Sequence, residues 1–216
     1  LAVEYYFEPA GMLAIGFFLK EMKGFIHTQG GIQVPAGTDN GFGGDYAGYT
    51  LTTQRNGGTG KTKGVEFTYQ QQFTFLPSPW KAFGAYASYT RQETTGDYGA
   101  IGTTRSTNEL PNFIPETANL GLSFIKDRIS IRALYNWRSS FLISYSATTA
   151  ALTYGADAAT VDIKTVYQLS SRVSMYLDVL NIFNDPHRDQ YRHGGRANYL
   201  SQVTSPMFAF GATARY

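Results

Sequence analysis

The chain has 216 residues, 43% of them hydrophobic, 15% aromatic and only 16% charged, with 23 Gly, 16 Tyr, 15 Phe and no Cys. That composition excludes a disulfide scaffold and Cys-based metal sites, and a formal charge of +2 carries no basic excess of the kind nucleic-acid binding needs. No apolar run reaches the roughly eighteen residues of a transmembrane helix, and the load of Tyr, Phe and Gly favours β structure.

In chain order, Val3, Tyr5 and Phe7 alternate with Glu4, Tyr6 and Glu8, which predicts a strand, and Pro9-Ala10-Gly11 predicts a tight turn. Leu13, Ile15, Phe17 and Leu19 form the apolar face of a second strand, completing a hairpin. From about Thr28 to Thr62 the residues turn to Gly, Thr, Asn, Gln and Asp without a period, which predicts a long surface loop. Val65, Phe67, Tyr69, Gln71, Phe73 and Phe75 then oppose Glu66, Thr68, Gln70, Gln72 and Thr74, the clearest alternation in the chain. Leu76 to Trp80 closes this third strand. A fourth, near Phe83 to Arg91, leads into a polar loop over about Gln92 to Asn112.

Ala118, Leu120, Leu122 and Phe124 mark a fifth strand that ends at the charged turn Lys126-Asp127-Arg128, and Ile129, Ile131, Ala133, Tyr135 and Trp137 mark the sixth. After a loop over about Ser144 to Ala159, Val161, Ile163, Thr165, Tyr167 and Leu169 face away from Asp162, Lys164, Gln168 and Ser170. Ser170-Ser171-Arg172 turns the chain into an eighth strand carrying Val173, Met175, Leu177 and Val179. A last long loop, about Asn184 to Ser205, precedes Pro206 to Tyr216. There Phe208, Phe210, Ala212, Ala214 and Tyr216 share one face, and Met207, Ala209, Gly211, Thr213 and Arg215 the other.

Short turns at Pro9, Pro77, Asp127 and Ser171 thus alternate with long loops after the even-numbered strands. That asymmetry is the mark of an outer-membrane barrel, with turns on the periplasmic side, loops outside, lipid on the apolar face and the lumen on the polar one. A soluble sandwich has shorter strands, averaging about five or six residues. About nine strands is an odd number and single-chain bacterial barrels have even ones. The fold expectation is therefore an all-β, antiparallel transmembrane β-barrel of up-and-down hairpins, of which residues 1–216 supply about nine C-terminal strands. Leu1 is not an initiator Met and lies just ahead of an alternating segment, so a fragment of a longer protein is expected.

Five segments carry a resemblance: Val3-Glu-Tyr-Tyr-Phe-Glu-Pro-Ala-Gly11, Gly16-Phe-Phe-Leu-Lys20, Gly64-Val-Glu-Phe-Thr-Tyr69, Leu177-Asp-Val-Leu-Asn-Ile-Phe-Asn184 and the terminal Phe210-Gly-Ala-Thr-Ala-Arg-Tyr216. Together they resemble the C-terminal half of the barrel in TonB-dependent outer-membrane receptors, over nearly all of the chain except the loops. The resemblance implies a 22-stranded barrel, a plug domain and an energy-coupling box, with neither plug nor box in this sequence. It also implies that the Asn-Ile-Phe-Asn segment lies in the penultimate strand, and that a terminal signal, Phe208, Phe210 and Tyr216, is read by the barrel-assembly machinery. Partners implied are a small-molecule solute, the TonB energy-coupling complex, that assembly machinery and outer-membrane lipid.

Several groups invite chemical readings. Gly57-Gly-Thr-Gly-Lys-Thr62 lacks the first Gly of a phosphate loop, Arg55 standing in its place, and leads into a strand rather than a helix, so a flexible loop is expected. His187 and His193 with Asp185 and Asp189 match no compact metal spacing, and no metal or cofactor is expected. Arg188, Arg192 and Arg196 fit an anionic ligand or lipopolysaccharide phosphates as well as they fit ordinary loop charge. On the lumen face, Glu66, Gln70, Gln72, Arg132, Arg138, Asp162, Lys164 and Asp178 make a mixed polar wall, suited to plug contacts before direct solute contacts. The candidate solute-binding residues are accordingly Arg132, Arg138, Asp162, Lys164, Asp178, His187, Arg188, Arg192 and His193. Phe75, Trp80, Phe83 and Tyr216 fit an inner aromatic girdle. No Ser/His/Asp set or carboxylate pair is placed for catalysis, and no enzyme is expected.

The function these features favour is active uptake of a scarce extracellular solute: a siderophore, vitamin, oligosaccharide or peptide. A passive porin-like channel is the second reading. A soluble β-sandwich that binds carbohydrate is the third, and it requires Phe67, Phe73, Leu122 and Ile131 to be buried.

Overall fold

The structure is a computed structural model that describes residues 1–56, 58–97, 107–145, 149–185, 190–194, 196–200 and 205–215. Among these residues the strands are β1 (Ala2–Phe7), β2 (Gly11–Lys23), β3 (Ile26–Gln33), β4 (Thr50–Asn56), β5 (Thr59–Gln72), β6 (Phe83–Gly96), β7 (Glu116–Lys126), β8 (Ile129–Arg138), β9 (Phe141–Ser144), β10 (Thr153–Gly155), β11 (Ala158–Gln168), β12 (Val173–Leu180), β13 (Gln190–Arg192), β14 (Arg196–Leu200) and β15 (Met207–Ala214). Nine form one antiparallel sheet in the order β1-β2-β5-β6-β7-β8-β11-β12-β15, each beside its predecessor in the meander. They correspond one for one to the nine strands expected. Within this chain the sheet does not close.

Register aligns the faces. Val3, Ile15, Phe67, Tyr89, Ala118 and Trp137 are successive Cα partners across six strands. Nearer the short turns, Phe83, Phe124, Ile131, Thr165, Leu177 and Phe210 do the same. Because side chains alternate, these rows lie on one face, while the other is mixed: polar rows alternate there with rows such as Met12, Gln70, Tyr86, Gly121, Leu134 and Asp162. On β7 the apolar run Phe124, Leu122, Leu120, Ala118 is bounded by Lys126 and Glu116. From Glu116 to Lys126 the eleven residues of β7 make ten rises of about 3.3 Å, which at a tilt of roughly 40° put the two charged ends about 25 Å apart, the height of a lipid-facing band.

Burial decides what that face meets. Leu122 is 61% exposed, Leu177 46% and Phe210 83%, while Ile131 is 37% exposed. A sandwich would cover these residues with a second sheet. Here the aligned apolar face is left open, as contact with hydrocarbon requires. Among the described residues the most deeply buried aliphatics, Leu110, Leu142 and Leu152, lie instead in the segments between β6 and β7 and around β9 and β10, at the end of the long loops.

That end departs from expectation. The stretch expected as a loop over 28–62 contains most of the paired strands β3 and β4, and β2 and β5 run on to thirteen and fourteen residues. The later loops contribute to a four-stranded sheet ordered β14-β13-β10-β9. These strands escape a periodicity reading because β9, β10, β13 and β14 are only three to five residues long and β3 and β4 carry no sustained apolar alternation in sequence. Gly60, Lys61 and Thr62, expected in a flexible loop, are laddered into β5 opposite Met22, Glu21 and Lys20.

Two boundaries also move. β5 stops at Gln72, and Phe73 and Phe75 lie in the turn region beyond it, with rings 6.1 Å apart edge to face. The Asn181-Ile182-Phe183-Asn184 segment is not in the penultimate strand. β12 ends at Leu180, and Asn181 and Asn184 take the left-handed φ values of 51° and 57° that end the strand, a conformation Asn tolerates better than bulkier residues.

Candidate functional site

The polar face is the first candidate surface. Gln72, Gly84, Ser123, Arg132, Lys164 and Asp178 form one cross-strand row. Arg132 and Lys164 therefore stand side by side, and Lys164 Nζ is 3.9 Å from the Asp178 carboxylate. Further toward the loops, Thr68, Ser88, Asn119, Asn136 and Thr160 form a row of uncharged donors and acceptors, in which Asn119 Nδ2 donates to Ser88 Oγ at 3.1 Å. A groove of about 660 Å³ runs over this region, its lining including Asn119, Asn136, Arg138, Thr160 and Asp162.

The expected solute residues do not converge. Arg132, Lys164 and Asp178 cluster toward the short turns, whereas Arg138 lies six residues along β8, roughly 20 Å away at strand rise. Arg138 Nη1 donates to the Ala156 carbonyl at 2.7 Å, and its guanidinium sits 5.0 Å from the centre of the Phe141 ring. Asp162 Oδ1 accepts the backbone N–H of Asn181 at 2.8 Å. Asn181 is itself 8% exposed; its side chain donates to the Asp185 carbonyl and accepts the Asp185 N–H, while Asp185 Oδ2 accepts Ala159 N–H at 3.3 Å. These contacts pin the end of β12 to β11, so Asp162 and Arg138 already hold backbone groups. His187 and Arg188 lie outside the described residues, and so does Tyr216. Of Arg192 only the backbone, in β13, is described.

His193 belongs to a second surface at the loop end. Its ring is 6.1 Å from that of Tyr154, and Tyr154 and Tyr191, on adjacent strands, are stacked 5.7 Å apart. Partial burial and the hydrogen-bonded carboxylate of Glu109 push the Tyr154 phenol up to about 12, from an ordinary 10.0. Tyr154 and Tyr191 line a pocket of about 370 Å³ with Phe141, Phe113, Glu109 and Glu93.

A third surface is the connection between β3 and β4. Asn40 organises it: its Oδ1 accepts N–H groups of Phe42 and Gly44, and its Nδ2 donates to the carbonyls of Pro35 and Asp45. On this frame the exposed rings of Phe42, Tyr46 and Tyr49 pack edge to face at 5.7 and 5.8 Å. Tyr154, Tyr191, Phe42, Tyr46 and Tyr49 escaped sequence reasoning because single aromatics in aperiodic stretches show no pattern. Asn within Gly-rich sequence was the available sign of an ordered turn.

At the short-turn end, Phe75 and Trp80 are exposed, and Trp80 and Phe83 lie 5.8 Å apart, with Phe83 5.0 Å from Phe124. Phe208 and Phe210 project from the apolar face of β15, opposite Val179 and Leu177. Among the described residues no group of three or more His, Asp or Glu could hold a metal, and no helix is long and apolar enough to cross a membrane.

This architecture recurs in solved structures. A mutant of the ferric enterobactin receptor PfeA from Pseudomonas aeruginosa superposes with a TM-score of 0.63 at 16% identity, over 99% of this chain and 30% of that one. The ferric-catecholate import receptor Fiu from E. coli gives 0.63 at 15%, over 99% and 26%, and the copper transporter OprC 0.63 at 14%, over 99% and 30%. At these identities the likeness is one of fold, and the chain spans less than a third of each receptor. No curated protein sequence matches the chain. A model of the TonB-dependent receptor-like β-barrel family matches residues 1–182, and the chain, a lipid-facing meander with a polar inner face, belongs to that family.

Proposed function

We propose that residues 1–216 are the C-terminal part of the barrel of an outer-membrane receptor that captures a scarce extracellular solute and imports it with TonB-coupled energy. The observation that carries this reading is the separation of roles along one sheet. The strands present an apolar band outward and polar rows inward, and the long-loop end carries ring-lined surfaces that a bare pore has no use for. Membership of a family of outer-membrane transport receptors supports it, as do fold neighbours whose names describe import of ferric catecholates and transport of copper.

In this reading the remaining strands and a plug belong to the whole receptor. Phe42, Tyr46 and Tyr49, then Tyr154 and Tyr191, give the solute its first contacts from outside, through ring stacking. Ring faces suit an organic solute such as a siderophore, vitamin, oligosaccharide or peptide. Arg132, Lys164 and Asp178 face the lumen, where they contact plug or solute. Phe75, Trp80 and Phe83 sit at the inner interface, and the β15 aromatics engage the assembly machinery. No catalytic step is involved.

The test is uptake by a deletion strain carrying the full-length receptor, over a panel of radiolabelled ferric siderophores, cobalamin, oligosaccharides and peptides. Accumulation of one solute class should stop when the proton-motive force is dissipated or TonB is deleted, with surface binding retained. Uptake indifferent to both would leave a passive pore instead.

A further inference from the structure

The apolar face of the sheet does not end at the edge of the apolar band. Above the row of Ile15, Phe67, Tyr89 and Ala118, the same face of β2, β5 and β6 continues through three more rows. They are Phe17-Val65-Arg91-Glu116, Leu19-Lys63-Glu93 and Glu21-Lys61-Thr95. The face turns from hydrocarbon to charge within two residues, on strands that continue straight through the change.

The charges there are loosely held. Lys61 Nζ is 3.0 Å from Glu21, Lys63 Nζ 3.1 Å from Glu93 and Arg91 Nε 3.7 Å from Glu116, and apart from Glu116 at least half of each side chain is exposed. Ion pairs this exposed add little to stability and exchange readily for another anion. Phe17 and Leu19, both more than half exposed, stand among them, so the patch presents apolar and cationic groups together. Water alone rewards the charges but not the apolar groups. The boundary between acyl chains and anionic headgroups rewards both.

We propose that this outward face of β2, β5 and β6, just above the apolar band, docks a phosphorylated lipid headgroup of the outer leaflet, with Lys61, Lys63 and Arg91 meeting its phosphate. Lys61 and Lys63 alternate along β5, and Arg91 lies diagonally opposite on β6, at separations of roughly 7 Å. One headgroup therefore reaches two cations at once. Glu21, Glu93 and Glu116 keep the cations extended and set a limit on affinity. The inference rests on the lipid-facing assignment of this face, and it is independent of the solute carried.

The experiment uses the full-length receptor in detergent, titrated with short-chain phosphatidic acid or phosphatidylcholine and read by native mass spectrometry. The phosphatidic acid should bind in preference. Lys61→Gln, Lys63→Gln and Arg91→Gln should each weaken it about fivefold, as expected for one cation near an anionic lipid. Glu21→Gln with Glu93→Gln should tighten it, and Lys126→Gln with Arg128→Gln, at the opposite end, should leave it unchanged. The charge-conserving set Lys61→Arg, Lys63→Arg and Arg91→Lys should retain binding, which separates charge from misfolding if a Gln variant fails to form a heat-modifiable barrel. Equal binding of the two lipids, or no loss in the Gln variants, would overturn the proposal. Displacement by millimolar inorganic phosphate would also overturn it, by making this a free-anion site.

Discussion

At Asp162 a single carboxylate oxygen does the work of a missing ladder partner. Asn181 turns out of β12 with positive φ, and its N–H is received at 2.8 Å by Asp162 rather than by a strand carbonyl. Removing the acceptor leaves a part-buried donor unsatisfied, a cost of about 1–3 kcal/mol. Asp162→Ala should lower the unfolding free energy by that amount in a denaturant titration in vesicles. Asp162→Asn, which keeps an oxygen in place, should cost less than half as much. If the two variants were equally destabilised, the charge would matter more than the hydrogen bond. Tyr154 supports a second expectation. Its raised folded value means that the folded state holds the proton more tightly than the unfolded chain between pH 10 and about 12. The stabilisation is thus complete below pH 10 and fades as pH rises through that window. Ultraviolet titration should include a late-ionising phase that Tyr154→Phe reduces, together with its share of the alkaline destabilisation.

Between strands, large rings lie over glycines on the partner strand, and whether the neighbour can yield decides the effect of substitution. A Cβ at Gly64 would stand 2.5 Å from Phe18 Cζ and 2.5 Å from the Arg91 carbonyl oxygen, whereas at Gly211 its three nearest neighbours would all be atoms of the Tyr176 side chain, at 2.6–2.8 Å. A ring can swing; a laddered carbonyl cannot. Gly64→Ala should therefore cost about 1–3 kcal/mol as overpacking, and Gly211→Ala clearly less, measured as the difference in unfolding midpoint. Such pairs were invisible in the sequence, where Gly211 read simply as a small residue opposite the Phe208 and Phe210 face and Gly64 as the start of the segment to Tyr69. The same limit applies to elements. The nine strands of the main sheet were legible, most because one face is apolar and leaves an alternating signature, as from Leu13 to Leu19 or from Ala118 to Phe124, while β6, with Ala and Gly on both faces, left a weaker one. β3, β4, β9, β10, β13 and β14 left none, because four of them are only three to five residues long and the sequences of β3 and β4 do not alternate, which removes the contrast on which a period-two reading depends. The candidate surfaces followed suit. The shared face of Arg132, Lys164 and Asp178 could be read from alternation, while the Tyr154-Tyr191 stack depends on long-range pairing between loops.

For the molecule as a whole, the question that separates a barrel from any soluble sheet is whether the cost of a charge depends on its depth. Leu120 and Leu122 lie near the middle of the eleven-residue strand from Glu116 to Lys126, Ala118 lies one outward position below Glu116, and Ser123 points the other way. In a bilayer, Leu120→Arg or Leu122→Arg should lose about 2–4 kcal/mol, Ala118→Arg about 0–1 because its side chain reaches the headgroups, and Ser123→Arg little since it enters the lumen. A protein core has no such gradient: the penalty there follows packing and the loss of a partner, and Ala118, the smallest of the outward residues, would suffer most from an added Arg. Unfolding titrations of the full-length receptor in vesicles of two thicknesses make the comparison decisive. Thinner bilayers should shrink the penalty at Leu120 and Leu122 and leave Ser123 unchanged. Penalties that ignore thickness would mean that the outward face meets protein, and both the uptake reading and the lipid-headgroup site would lose their foundation together.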